Sequence, residues 1–333
     1  MTGRARREGQ REMNADRGDW RLYRADRVPR PRPLPKAPPW RRFPADDVQR
    51  HALHYHITDA EADIVNAALH LRRPLLVTGA PGTGKSSLAA SIAYELGLGD
   101  VLRWPVNSRT ALADGLYRYD AVGRLRDANR AGQHGDDSDI GSYLRLGPLG
   151  TALATGTPGR PRVLLVDELD KGDIDLPNDL LVVFEEGTFE IPELARLGER
   201  HTDVAVMVDG TSDRHTVRHG RISCQEFPVV VLTSNGERDF PPAFLRRCVR
   251  LDLKQPTGEQ LRSIVAAHLG PDGLSAADDL INTFLERRDT GQAMLATDQL
   301  LNAVHLRVNG VDLEREGLVA AVLRSLDEAG PQE

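Results

Sequence analysis

Phosphate chemistry is the first thing the side chains offer. Residues Gly79-Ala80-Pro81-Gly82-Thr83-Gly84-Lys85-Ser86 fit the spacing G-x-x-x-x-G-K-[ST]. Such a loop can turn its backbone N–H groups inward around the phosphates of a nucleotide. Its glycines remove the Cβ atoms that would block the approach, and the next helix adds its positive dipole end. Lys85 would reach the β- and γ-phosphates and Ser86 would ligate Mg2+. Ser87 follows as the loop becomes helix, and Gly79 to Ser87 together with Asp167 make up the candidate nucleotide-binding set.

Holding a nucleotide does not break it. Phosphoryl transfer also needs a metal bridging the β- and γ-phosphates, a group that orients or deprotonates water, and positive charge where the transition state spreads its negative charge. Asp167, at the end of the apolar run Arg162–Val166, would hold hydrated Mg2+ beside Ser86. Glu168, one residue on, would polarise the attacking water. Asn235 ends another apolar run, Pro228–Ser234, and its amide could position the same water. Arg246 and Arg247 stand just before the strand-like Val249–Leu253, and a guanidinium makes planar, bidentate contacts with phosphate oxygens. Arg247 is the first candidate and Arg246 the second.

These residues need a scaffold that delivers them to one place. The order of strand (75–78), glycine loop, helix (87–96), strand (101–106), helix (147–154), strand (162–166) and strand (228–234) predicts an α/β fold. It is a doubly wound parallel sheet with its ligand at the carboxyl ends of the strands. A helix over 58–71 precedes the sheet, started by Thr58 with Glu61 three places on as a capping box. The Gly- and Asp-rich residues 130–142 read as a mobile loop. Tyr117 and Tyr119 could project into a pore or rest against the sheet. An insertion near 188–227 is expected to pair Thr188–Leu194 with Val204–Val208 as a hairpin, followed by a polar loop over Asp209–Gly220. Four helix-patterned segments near 257–269, 275–287, 297–307 and 313–328 predict an all-helical second domain.

The domain boundaries expected are a basic, Pro-rich disordered arm over 1–44, the nucleotide-binding domain over 45–254 and the helical domain over 255–333. The net charge of −6 conceals an asymmetry. Residues 1–44 hold 13 Lys/Arg against 5 Asp/Glu, a balance of +8, which leaves −14 for the other 289. Such an arm could touch nucleic acid, an acidic partner or nothing specific. Trp40 and Phe43 at the end of the proline-rich stretch would anchor it to the body, and Trp20, Leu22 and Tyr23 could form a docking patch. Two cysteines, Cys224 and Cys248, exclude a disulfide framework, and no long apolar run offers a membrane segment. The reading is a reducing, cytoplasmic setting. His51, His54 and His56, His215 and His219, and the Asp170, Asp173 and Asp175 cluster lack metal-ligand spacing and read as ordinary polar residues.

The ordered set resembles the AAA+ ATPase superfamily, with Walker A at 79–86, Walker B at 162–168, sensor 1 at Asn235 and an arginine-finger region at 246–247. Over residues 48–328 it looks most like the MoxR type, on Gly147-Pro-Leu, Asp167-Glu-Leu-Asp-Lys171, Leu176–Glu186 and Thr188-Phe-Glu-Ile-Pro192. The resemblance implies a P-loop NTPase core with a helical lid, and ATP and Mg2+ as cofactors. It also implies a homo-oligomeric ring, by analogy a hexamer, in which a neighbour inserts the finger. The partner would be a protein substrate or adaptor, such as a metal-ion-binding adhesion domain protein. The sequence departs from the family at the third lid helix, where Leu295–Leu300 carries no basic sensor-2 residue and Arg307 is a distant substitute. Two other functions compete: a nucleotide-gated binding switch with low turnover, and a nucleic-acid-associated NTPase motor guided by the arm.

Overall fold

The computed structural model describes residues 57–131, 137–197, 202–290 and 295–311, with Tyr55, Leu313, Val322 and parts of 20–41 besides. Two compact units emerge, Val48–Gln255 and a second made of Met1–Asp47 with Pro256–Glu333.

In the first unit the continuous apolar runs form one parallel sheet. Its strands are β1 (Leu75–Gly79), β2 (Leu102–Pro105), β5 (Val163–Asp167), β10 (Val229–Ser234) and β11 (Val249–Leu253), in the order β11-β1-β10-β5-β2. The central strands β1, β10 and β5 are buried on both faces and read as apolar runs, whereas the edge strands β2 and β11 alternate buried and exposed residues. Alternate residues feed two cores. Leu75, Val77, Val163, Leu165 and Val231 pack under α1 (Asp59–Leu71) and α2 (Lys85–Glu95), through Val65, Ala68, Leu88 and Ile92. Leu76, Leu164, Val166 and Leu232 face the other way, toward α5 (Pro148–Thr155) and α6 (Leu176–Glu186). Each such buried leucine or valine contributes about 1.5–3 kcal/mol. The capping box at α1 forms: the Thr58 amide donates to Glu61 Oε2 at 2.9 Å and the Glu61 amide donates to Thr58 Oγ1 at 3.3 Å.

A second, mixed sheet is ordered β3-β4-β7-β8-β9-β6. It consists of β3 (Tyr117–Tyr119), β4 (Leu144–Leu146), β6 (Thr188–Glu190), β7 (Asp203–Met207), β8 (Arg214–Arg218) and β9 (Arg221–Ser223). This corrects the expected insertion. Thr188–Glu190 and Asp203–Met207 do not pair with each other; β6 pairs with β9 and β7 with β8. The presumed polar loop Asp209–Gly220 contains β8. Sequence-local turns decide this. His219 and Gly220 both take positive φ, 50° and 69°, between the paired Arg218 and Arg221, which is the geometry of a tight two-residue hairpin. Pro192 opens the short α7 (Pro192–Ala195), so β6 stops at Glu190. Val204, Val206, Val217 and Ile222 join the α5/α6 core.

The loop expected over 130–142 is described at its two ends. Helix α3 (Leu112–Leu116) leads into β3, and α4 (Ala121–Ala131) follows, with Asp120 Oδ1 accepting from the Gly123 amide at 2.8 Å. Asp137–Tyr143 is a 3-10 turn, and 132–136 lie outside the described residues. Tyr117 rests on structure rather than projecting freely: its ring stacks on Phe189 and its hydroxyl donates to Glu193 at 2.9 Å.

The second unit contains α9 (Gly258–Ser275), α10 (Asp278–Asp289) and α11 (Thr297–Val308). Helix α9 breaks at Gly270, φ 74°, ahead of Pro271, close to where the sequence places a boundary. Leu261, Val265, Ile281, Phe284, Leu300 and Val304 form its core, and Trp20 and Trp40 pack against it. Trp40 Nε1 donates to Asn302 Oδ1 at 3.1 Å and its ring meets His305 edge-on at 5.8 Å. The expected anchoring at Phe43, the upstream histidines and the helix near 313–328 lie outside the described residues. Among the described residues, no helix is long and apolar enough to cross a membrane, and Cys224 and Cys248 are free thiols.

Candidate functional site

The sheet topology gathers the candidate residues before any side chain is considered. In a parallel sheet all carboxyl ends point one way, and β1, β10 and β5 are adjacent, so their following loops share one edge. The loop after β1 depends on backbone that only glycine supplies. Gly79 has φ 146°, and a Cβ there would lie 2.6 Å from the Leu253 carbonyl oxygen. Gly84 caps α2 with φ 86°, where a Cβ would meet the Tyr55 ring at 2.9 Å. Ala80, Pro81, Gly82 and Thr83 complete the turn, Thr83 Oγ1 donating to the Ala80 carbonyl at 2.9 Å. Ser87 lies in the first turn of α2.

Lys85 is the first residue of α2 and is buried. Its ammonium donates to the carbonyls of Gly79 at 2.8 Å and Ala80 at 2.9 Å, so the loop carries its own cation at its centre. Burial holds this ammonium below its ordinary pKa, opposed by the carboxylates of Asp170, Asp167 and Glu168.

One hydrogen bond ties the loop to the end of β5, and two more tie that end to β10. Ser86 Oγ donates to Asp167 Oδ1 at 2.7 Å. Thr233 Oγ1 donates to the same oxygen at 2.6 Å and accepts from the Glu168 amide at 2.9 Å. Thr233 was not among the candidates from sequence. The parallel pairing Leu232↔Val166 sets it beside Asp167, so aligning the ends of the two strands is the signal that finds it.

Glu168 stands in the left-handed region, φ 60° and ψ 47°, and opens the 3-10 turn Leu169–Lys171. A non-glycine residue there stores on the order of 1–2 kcal/mol of strain, which the bond its amide donates to Thr233 Oγ1 helps to hold. Its carboxylate pairs with Lys171 Nζ at 2.9 Å. Asp170, 3% exposed, accepts from the backbone amides of Asn235 at 2.9 Å and Glu237 at 3.1 Å. That bond fixes the half-buried Asn235 next to the turn of Glu168.

The two arginines part company. Arg247 pairs through Nε with Glu185 on α6 and donates to the Ala243 carbonyl at 3.2 Å, within α8 (Pro242–Leu245) and its C-terminal turn. Arg246 is exposed and its guanidinium makes no hydrogen bond or ion pair among the described residues. In the helical unit, Arg307 is held by Asp279 and the Ala276 carbonyl.

Among the described residues no group of three or more His, Cys, Asp or Glu could hold a metal, which covers His215, His219 and the Asp170–Asp175 cluster. The Ser86 hydroxyl and Asp167 carboxylate are instead two hard oxygens side by side. Mg2+ takes one or two protein oxygens of this kind and completes its octahedron with water and phosphate, so the pair fits that ion.

A family model described as AAA domain (dynein-related subfamily) matches residues 74–248. No curated protein matches the sequence. A crystal structure of a provisionally assigned ATPase from Cytophaga hutchinsonii is similar at 12% identity and a TM-score of 0.37, over 66% of this chain and 53% of that one. The chain thus spans about half the length of that protein.

Proposed function

The chain belongs to the AAA domain family, dynein-related subfamily, and we propose that it is a Mg2+-dependent ring ATPase of the MoxR type that uses ATP hydrolysis to remodel a protein partner. The observation that carries the ATPase reading is the junction of Ser86, Asp167 and Thr233, which joins the glycine loop to the strand that bears Glu168. Ser86 and Asp167 would hold Mg2+, which would supply positive charge against the phosphates. Lys85 exchanges its two carbonyl contacts for phosphate oxygens. Glu168 leaves Lys171 and takes a proton from the attacking water, which Asn235 orients. Arg246 is the guanidinium offered to a neighbouring subunit, because Arg247 is already engaged by Glu185. The helices from Gly258 to Val308 serve as the lid, and by resemblance the ring is a hexamer working with a protein adaptor.

Phosphate release from ATP and GTP, with particle mass measured alongside, tests this. Glu168→Gln should retain ATP binding and assembly while turnover falls by two orders of magnitude or more, the scale of a general base. Turnover at the wild-type rate would remove Glu168 from its role. The Glu168–Lys171 pair favours a second reading, a nucleotide-gated switch that rarely turns over. Wild-type phosphate release no faster than spontaneous hydrolysis of the nucleotide without protein, with nucleotide binding intact, would decide for the switch.

A further inference from the structure

A cleft of about 450 Å³ opens beside β2, away from the glycine loop. Four arginines line it: Arg103 on β2, Arg109 in the turn after it, Arg118 on β3 and Arg145 on β4. All four are exposed. Arg103, Arg109 and Arg118 make no side-chain hydrogen bond or ion pair among the described residues. Arg145 donates to the Val208 carbonyl at 3.0 Å and to Met207 Sδ at 3.1 Å, and neither acceptor neutralises it. The two acidic residues in the lining are Asp114, which caps α3 by accepting from the Ala111 amide at 3.0 Å, and Asp209.

A second observation, independent of the cavity, points to an anion. Arg118 and Arg145 are directly opposed cross-strand partners in the β3–β4 pair. Like charges in that relation destabilise a sheet, and among the described residues no carboxylate forms an ion pair with either. The third wall is an edge. β2 is the last strand of its sheet, bonded only to β5, and no backbone hydrogen bond joins its outer edge to another element among the described residues. Strand edges with this exposure take extended peptides.

We propose that this cleft binds an extended acidic peptide segment of a partner protein, its backbone along β2 and its carboxylates on Arg103, Arg109, Arg118 and Arg145. A peptide suits the site better than nucleic acid. Trp104 in the lining is buried and presents no face for a base to stack on, and Asp114 and Asp209 interrupt a phosphate track. The inference does not depend on nucleotide hydrolysis.

Fluorescence anisotropy of the full chain with a labelled (Glu-Val)5 peptide tests it, beside (Lys-Val)5 and the oligonucleotide dT10 at the same ionic strength. Saturable binding of (Glu-Val)5 alone is expected, weakened roughly tenfold or more in Arg103→Glu/Arg118→Glu, since each reversal turns an attraction into a repulsion. The milder Arg103→Ala/Arg118→Ala should fall between. The Arg118→Glu change should also raise the melting temperature slightly by pairing with Arg145, a gain that shows the loss of binding is not unfolding. Tighter binding of dT10 would overturn the proposal in favour of nucleic acid. Peptide binding that survives the double reversal would overturn it too, assigning the interaction to the basic residues of 1–44.

Discussion

Thr233→Val isolates the junction that holds the proposed site together. Valine keeps the shape of threonine, so at a position 1% exposed no cavity is created. What disappears is one hydroxyl with two bonds, the 2.6 Å donation to Asp167 and the 2.9 Å acceptance from the Glu168 amide. The bond to a carboxylate is worth about 1.5–3 kcal/mol and the neutral one about 0.5–1.5, and Asp167 retains Ser86 as a partner. A total loss of about 2–4 kcal/mol follows. In a unit of this size each kcal/mol shifts Tm by about 2–4 °C, so the melt should move down on the order of 10 °C. Thermal melts by circular dichroism without nucleotide read this directly, and Thr233→Ser, which keeps the hydroxyl, should retain most of the stability. Phosphate release by Thr233→Val should fall at least tenfold, because the left-handed Glu168 loses the bond that fixes its amide. A valine variant melting within about 1 °C of wild type would refute the reasoning, as would a serine variant that falls equally far.

Arg246→Ala should reduce turnover by about 10³–10⁵, as loss of a finger does, and recover partly in mixed rings with Lys85→Ala. Arg247→Ala removes an exposed ion pair with Glu185 and an exposed bond to the Ala243 carbonyl, and should cost no more than about 1 kcal/mol in unfolding experiments. A larger catalytic loss from Arg247→Ala than from Arg246→Ala would reverse the assignment. Gly150→Ala would set a Cβ 1.9 Å from the Leu116 carbonyl oxygen, so α5 must shift from the end of α3, at a cost of about 1–3 kcal/mol readable by urea unfolding. Burial pushes the Cys248 thiol to about 12 and also raises Cys224. Both therefore stay protonated at pH 8, and a thiol-reactive chromophore should modify the native chain slowly and both cysteines quickly in denaturant. Rapid stoichiometric labelling of the native protein would contradict that burial.

What could be read from the chain alone was what is local or strictly periodic. The glycine loop follows its strand and opens its helix within about twenty residues, and Thr58 and Glu61 start α1 from three places apart. The Val/Leu runs of β5 and β10 identify themselves as doubly buried strands. Thr233 escaped because its partner lies 66 positions away and only the strand register brings them together. The pairing of Arg247 with Glu185 is likewise a tertiary contact, invisible in a run of two adjacent arginines. In the second sheet the sequence shows strand-like segments but not their pairing. There the competition between a long loop and two tight turns went to the turns, since closing a shorter loop costs less chain entropy.

The second sheet also determines what can be cut away. Its strands alternate with those of the first sheet along the chain: β3 and β4 come before β5, and β6 to β9 lie between β5 and β10. Residues 188–227 look like a detachable module from their position, yet they supply four of the six strands. Excising them would leave β3 and β4 as an isolated pair, too small to persist in water, and would uncover Leu144 and Leu146. The two sheets are thus stitched together, and a lineage carrying this architecture can vary the insertion by substitution but not discard it in one step.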